Sequence, residues 1–206
     1  MDWSIIVNIV MGILVLIALP LVLRKRKKAG PLKREEFCRH LQGMGIEATL
    51  RERDSYEEKI GVSRSLGQRS EGIIELKDRN IDLVNVTSTA SQYGVHYFLN
   101  YLVKASNIVE GRKLKKTRLI TKRSPPLWGK VVAIDWKGDD SLTRSLNLDY
   151  SAADRLLRAD ENVFKGNIWI FPEPMHGYVR IQIEYSLPSA EIFEAISSIG
   201  RHVKSW

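Results

Sequence analysis

Positions 3–23 run through 21 residues without a charge, WSIIVNIVMGILVLIALPLVL. No polar face recurs with helical period, so the stretch has no side to turn to water. As a helix it would measure about 30 Å, the thickness of a bilayer's hydrocarbon core. Pro20 falls within a turn of the end, where a membrane helix tolerates it. Five cations follow at once, Arg24, Lys25, Arg26, Lys27 and Lys28, and no small-residue cleavage site precedes them. The pattern predicts a retained transmembrane helix over 1–23 and a basic juxtamembrane linker over 24–31. Cations after the span and none before it predict a single-pass membrane protein, amino terminus outside and C-terminal domain cytoplasmic.

Beyond Pro31 the periodicity changes. Phe37, Leu41 and Met44 stand at helical spacing over 33–44, with Gly45 as the stop signal. Ile46, Ala48 and Leu50 then alternate as a short strand. Residues 51–71 are polar, charged and dotted with Gly and Ser, which reads as loop. GIIELK (72–77) and IDLVNVTS (81–88) predict a β-hairpin about Asp78-Arg79-Asn80.

Tyr93, Val95, Tyr97, Leu99, Tyr101 and Val103 alternate strictly, and the opposite face carries His96, Phe98, Asn100 and Leu102. That double-sided pattern predicts a central strand. Strands over 116–121 and 130–136 follow, separated by Ser124-Pro125-Pro126. Ser151 opens a capping-box-like start to a helix over 151–159, with Leu156 and Leu157 facing inward.

NIWIF (167–171) and YVRIQIEYS (178–186) predict a second hairpin. Val179, Ile181, Ile183 and Tyr185 would face the core, and Arg180, Gln182 and Glu184 water. A last helix starts at Ser189 with Ile192, Phe193, Ile196, Ile199 and Val203 as its apolar stripe. Meandering strands with helices at their ends give an α+β domain over 32–206. Its sheet is expected to be mostly antiparallel, with flanking helices.

Charge refines this picture. The chain holds 32 Lys and Arg against 24 Asp and Glu, a net charge of +8. Five of the cations lie in 24–28 and one of the acids is Asp2, leaving 27 and 23 for the rest. Half of the excess therefore belongs to the membrane flank, and the basic pI argues little for nucleic acid. One cysteine excludes an internal disulfide framework and a cysteine-cluster metal site.

The remaining candidates for chemistry are few. Asp135, Asp139 and Asp140 form an acidic group near a strand end, where carboxylates can hold a divalent cation. Their spacing does not match an EF-hand, and a strand-to-helix turn with Gly138 as its bend and Asp140 or Ser141 as N-cap accounts for them. The four histidines stand singly, without the paired spacing of a helical metal site; His176 reads as a solvated loop residue. Cys38 reads as structural. GVSRSLGQRSEG (61–72) matches neither a Walker A nor a G-x-G-x-x-G pattern and reads as a polar loop.

The densest charge lies in EGRKLKKTRLITKR, 110–123. Arg112, Lys113, Lys115, Lys116, Arg118, Lys122 and Arg123 are opposed only by Glu110. No aromatic residue is interleaved among them, which counts against single-stranded nucleic acid. A linker of a few residues keeps the domain near the bilayer, which favours anionic lipid or a membrane-proximal protein as partner.

The sequence thus predicts a membrane-anchored cytoplasmic domain that binds a protein or a lipid surface without catalysis, cofactor or metal. Its contact regions would be the flank 24–28 and the cations of 112–123. Two alternatives are an enzyme acting on a lipid-borne or phosphorylated substrate around Asp135, Asp139 and Asp140, and an accessory subunit of a membrane complex.

Overall fold

A computed structural model describes residues 31–62, 67–77, 80–105, 108, 114–125, 130–159, 164 and 166–206. Residues 34–206 form one compact unit and residues 1–33 another, of which only the start of one helix is described. The expected transmembrane segment 1–23 and its flank Arg24, Lys25, Arg26, Lys27 and Lys28 lie outside the described residues. Among the described residues no helix is long and apolar enough to cross a membrane.

The chain begins with α1 (Pro31–Gly43), which stops where Gly45 takes up φ +76°. β1 (Ala48–Leu50) and a 3-10 turn (Tyr56–Lys59) lead to β2 (Gln68–Leu76), β3 (Leu83–Ser91) and β4 (Gly94–Lys104). β5 (Thr117–Ser124) and β6 (Lys130–Lys137) precede two short helices, α2 (Asp140–Asn147) and α3 (Tyr150–Arg158). β7 (Trp169–Glu173), a 3-10 turn (Pro174–His176), β8 (Tyr178–Glu184) and α4 (Ala190–Lys204) complete the fold.

The strands make one eight-stranded sheet in the order β1-β2-β3-β4-β8-β7-β5-β6, antiparallel at every pairing. The α+β class, the antiparallel sheet and the hairpins β2–β3 and β7–β8 match the sequence pattern. One face of the sheet is apolar because alternate residues of each strand share a side. Ile74, Val84, Leu99, Tyr101, Ile181 and Ile170 meet Phe37, Leu41, Leu142, Leu156, Phe193 and Ile196 from the helices in one core. Each such side chain, fully withdrawn from water, contributes about 1.5–3 kcal/mol before conformational entropy is counted.

Three details depart from the expected pattern. β2 begins at Gln68, inside the stretch read as loop, and a bulge between Ser70 and Gly72 lets Glu71 turn inward. The N-cap of α3 is Asp149, whose carboxylate accepts from the Ala152 amide at 3.0 Å, so Ser151 already belongs to the helix. Likewise α2 is capped by Asp139, one residue before Asp140 and two before Ser141, the expected caps.

The described residues cover the face away from the helices only in part. Residues 51–62 fold across β2, β3 and β4 there, and Ile60 packs on Ile73, Leu83 and Leu102 as a second small core. Beside it, over β8, β7, β5 and β6, no described helix lies on the sheet.

Candidate functional site

Strand register puts one continuous row across this second face. Lys137 on β6 pairs with Arg118 on β5, Arg118 with Trp169 on β7, and Trp169 with Gln182 on β8. Gln182 pairs with Asn100 on β4, and Asn100 with Asn85 on β3. At one end the row is cationic and exposed; at the other it is amide-rich and buried.

At the exposed end, the Lys116 ammonium sits 3.8 Å from the Trp169 ring centroid and 4.5 Å from that of Phe171. The Arg118 guanidinium lies 5.6 Å from Trp169, and the two rings stack with centroids 6.4 Å apart. Lys116, Arg118, Lys122 and Lys137 are exposed, and among the described residues none of them forms a salt bridge. Arg118 stands directly opposite Lys137, an arrangement of like charges that costs stability.

The expected anionic-contact residues are thus partly gathered. Lys116, Arg118 and Lys122 share this face, while Lys115 leans toward Asp140 at 3.9 Å and Arg123 lies on the opposite parity of β5. Arg112 and Lys113 lie outside the described residues. The sequence missed Trp169 and Phe171, since their strand reaches β5 only through the fold. The absence of aromatics within 110–123 therefore loses its force against nucleic acid. The ring faces, however, are already occupied by cations.

At the buried end, Arg180 corrects the sequence expectation. It does project from the face opposite Val179 and Ile181, but it is only 9 % exposed. Its Nε donates to Glu173 at 2.9 Å and its Nη1 to Asn100 Oδ1 at 3.2 Å, while the guanidinium stacks 4.1 Å from the Phe171 centroid. Burial lowers its pKa, opposed by the Glu173 carboxylate; a guanidinium keeps its proton regardless.

Gly61, at φ +77°, lies so close that a Cβ there would sit 2.5 Å from Arg180 Cδ. Gln182 Nε2 donates to the same Asn100 oxygen at 3.0 Å. Asn100 passes its own donor to Thr87 at 2.8 Å, and Asn85 donates to the carbonyls of Glu58 and Ile60 at 3.1 Å each. The polar row thereby also pins the covering segment to the sheet.

A cavity of about 370 Å³ opens at this junction. Lys59, Gln68, His176, Arg180 and Gln182 supply its polar lining, with Phe171 as an apolar wall and Glu173 beside Arg180. Tyr56 hydrogen-bonds His176 Nδ1 through its hydroxyl and meets the imidazole edge-on, so His176 is a half-buried rim residue rather than a solvated one.

The acidic group is not brought together. Asp139 accepts from the Ser141 and Leu142 amides, the Ser141 hydroxyl and the Trp206 indole, the last at 3.1 Å. Burial opposes ionisation at Asp139, but the Ser141 and Trp206 hydrogen bonds outweigh it and hold the pKa below the usual carboxylate range. Asp140 is exposed, and Asp135 projects from the opposite side of β6 to the buried Trp136.

Among the described residues no three His, Cys, Asp or Glu side chains are grouped to hold a metal ion. Asp149, Ser198 and His202 do cluster, but the Ser198 hydroxyl and the His202 ring both contact the same carboxylate oxygen, at 2.6 and 3.0 Å. That geometry braces α3 against α4 and does not present a hydroxyl activated by histidine. Cys38 is buried, and burial pushes its thiol pKa up, against thiolate chemistry.

Among protein-family models, curated proteins and solved structures, none matches the chain.

Proposed function

We propose that the chain is a single-span, membrane-tethered binding module in which the sheet face opposite the described helices engages an anionic, phosphate-bearing membrane surface without catalysis. The span over 1–23 and the flank Arg24–Lys28 would anchor it, with the amino terminus outside and the domain on the cytoplasmic side. The observation that carries the reading is the set of exposed cations Lys116, Arg118 and Lys122 on one face, which form no salt bridge among the described residues. Two of them rest on Trp169 and Phe171.

Stacking on a ring holds a cation outward without neutralising it, as a contact surface requires. Leaving Arg118 opposite Lys137 is costly for folding alone and is repaid when an anion lies over both. The use of Asp139 as a helix cap supports a binding role over an enzymatic one. Single-stranded nucleic acid is the less favoured partner, because Lys116 lies over both rings on which bases would stack.

Co-sedimentation with vesicles tests the reading. A fragment beginning at Pro31 keeps every described element and lacks the expected span. It should bind vesicles containing phosphatidylserine or phosphatidic acid, ignore pure phosphatidylcholine, and release as salt is raised. Equal binding to neutral vesicles contradicts the proposal, as does tighter binding to a single-stranded oligonucleotide.

A further inference from the structure

We infer that the cavity between Arg180 and residues 59–62 is a binding site for one phosphate group of a small phosphate ester. Four observations point there together. The cavity, about 370 Å³, lies at the lower end of the range for small-molecule sites, about 300–1,000 Å³. It therefore has room for a phosphate and a short organic substituent.

Its inner wall holds a guanidinium that is 9 % exposed, with only two of its five N–H donors engaged by described residues. That guanidinium is held in place from three sides: Glu173 on Nε, Asn100 on Nη1 and the Phe171 ring against its plane. A fork of fixed, unspent donors is what recognition of a planar or tetrahedral oxyanion requires. Lys59 adds a second permanent charge at the mouth, and among the described residues it forms no salt bridge. Phe171 supplies the apolar wall for the organic part.

Gly61 is the fourth observation. The segment lies so close on the Arg180 side chain that a Cβ at Gly61 would overlap both Cδ and Nε and force the guanidinium to move. This closeness packs the covering segment against the Arg180 side chain, and both line the cavity.

Glu173 makes the assignment testable in sign. It orients Arg180 but also cancels part of its charge. A purely structural Arg180–Glu173 pair would bind no ligand in either form. If the cavity takes an anion, Glu173→Gln keeps a hydrogen-bond acceptor for Nε and removes the opposing charge, so anion affinity should rise.

The inference rests on the membrane reading only for the source of the ester, which is a lipid headgroup or a soluble metabolite. Calorimetry on the full chain, reconstituted in phosphatidylcholine nanodiscs and titrated with inorganic phosphate and with glycerol 3-phosphate, provides the test. Saturable binding is expected, tighter for the ester. Lys59→Ala, an exposed change that leaves the fold intact, should weaken it about tenfold, and Glu173→Gln should strengthen it several-fold.

Nanodiscs doped with phosphatidic acid distinguish the sources. Weakened binding of added ester there identifies the headgroup, and unchanged binding identifies a soluble ester; either result keeps the site. No saturable binding, or the same affinity in both variants and the parent, overturns it. If the ester binds while anionic vesicles are ignored, the surface reading fails and the cavity assignment stands.

Discussion

At Asp149 a single carboxylate joins two helices. One oxygen accepts from the Ala152 amide as the N-cap of α3, and the other accepts from Ser198 and meets His202 on α4. Burial opposes ionisation here, yet the hydrogen bonds from Ser198, Ala152 and His202 prevail and bring the pKa down to about 2. An unfolded aspartate titrates near 3.9. The native state is therefore favoured above about pH 4, and that contribution, about 2 kcal/mol, drains away as pH falls toward 2. In Asp149→Asn, denaturant unfolding should show about 1–2 kcal/mol less stability at pH 7. Its stability should also fall less steeply between pH 4 and 2 than that of the parent. A parallel acid profile in the two proteins would remove Asp149 from this role.

The sequence pattern points to Ser151 as the cap and passes over Asp149, and it cannot reveal the serine and histidine on α4. Those partners lie on a helix far along the chain and meet it only when the helix layer packs. Arg180 shows the same limit in another form. Strict alternation along β8 puts it on the correct face, but a polar residue on that face is not thereby solvated. The segment 51–62 that covers it has no periodicity to announce where it lies.

Among elements, that covering segment depends on a side chain outside itself. Asn85, fully buried on β3, donates to the carbonyls of Glu58 and Ile60 and accepts from Ser70 at 2.7 Å. Asn85→Leu keeps the side-chain volume but orphans those partners, each unmet buried group costing about 1–3 kcal/mol. Hydrogen exchange should quicken at the amides of Glu58, Ile60 and Val62, while the amides of α4 stay protected. Uniform acceleration through both regions would mean that Asn85 serves global stability alone.

The strands and helices themselves were mostly legible, because alternating and helical apolar patterns are local consequences of burial. The sequence pattern leaves β2 four residues short, since Gln68, Arg69, Ser70 and Glu71 look like loop and form strand through a bulge. The cations of β5 were visible too. Their aromatic supports were not, because β5 pairs with β7 across a long stretch of intervening chain.

At the scale of the whole molecule, the sequence predicts a membrane span ahead of a domain whose sheet has one apolar, helix-covered face and one polar face that the described residues cover in part. The orientation is open to a direct check. Gln92, exposed in the turn between β3 and β4, becomes a reporter as Gln92→Cys, while the buried Cys38 stays silent. An impermeant thiol reagent should label it in lysed cells and leave it unlabelled in intact ones. Labelling of intact cells would put the domain on the other side and its partners outside.

In the proposed binding mode one face of the domain, rather than its net charge, meets the anionic surface. Vesicle affinity should be compared for two triple variants of the fragment from Pro31 that lose the same charge. One carries Lys116→Ala, Arg118→Ala and Lys122→Ala on the open sheet face. The other carries Arg144→Ala, Arg155→Ala and Arg158→Ala, all exposed on the helix layer. At about 1 kcal/mol per cation near the surface, the first should lose about a hundredfold in affinity for anionic vesicles. The second should stay close to the parent. Equal losses in the two would show attraction by net charge alone and contradict the account.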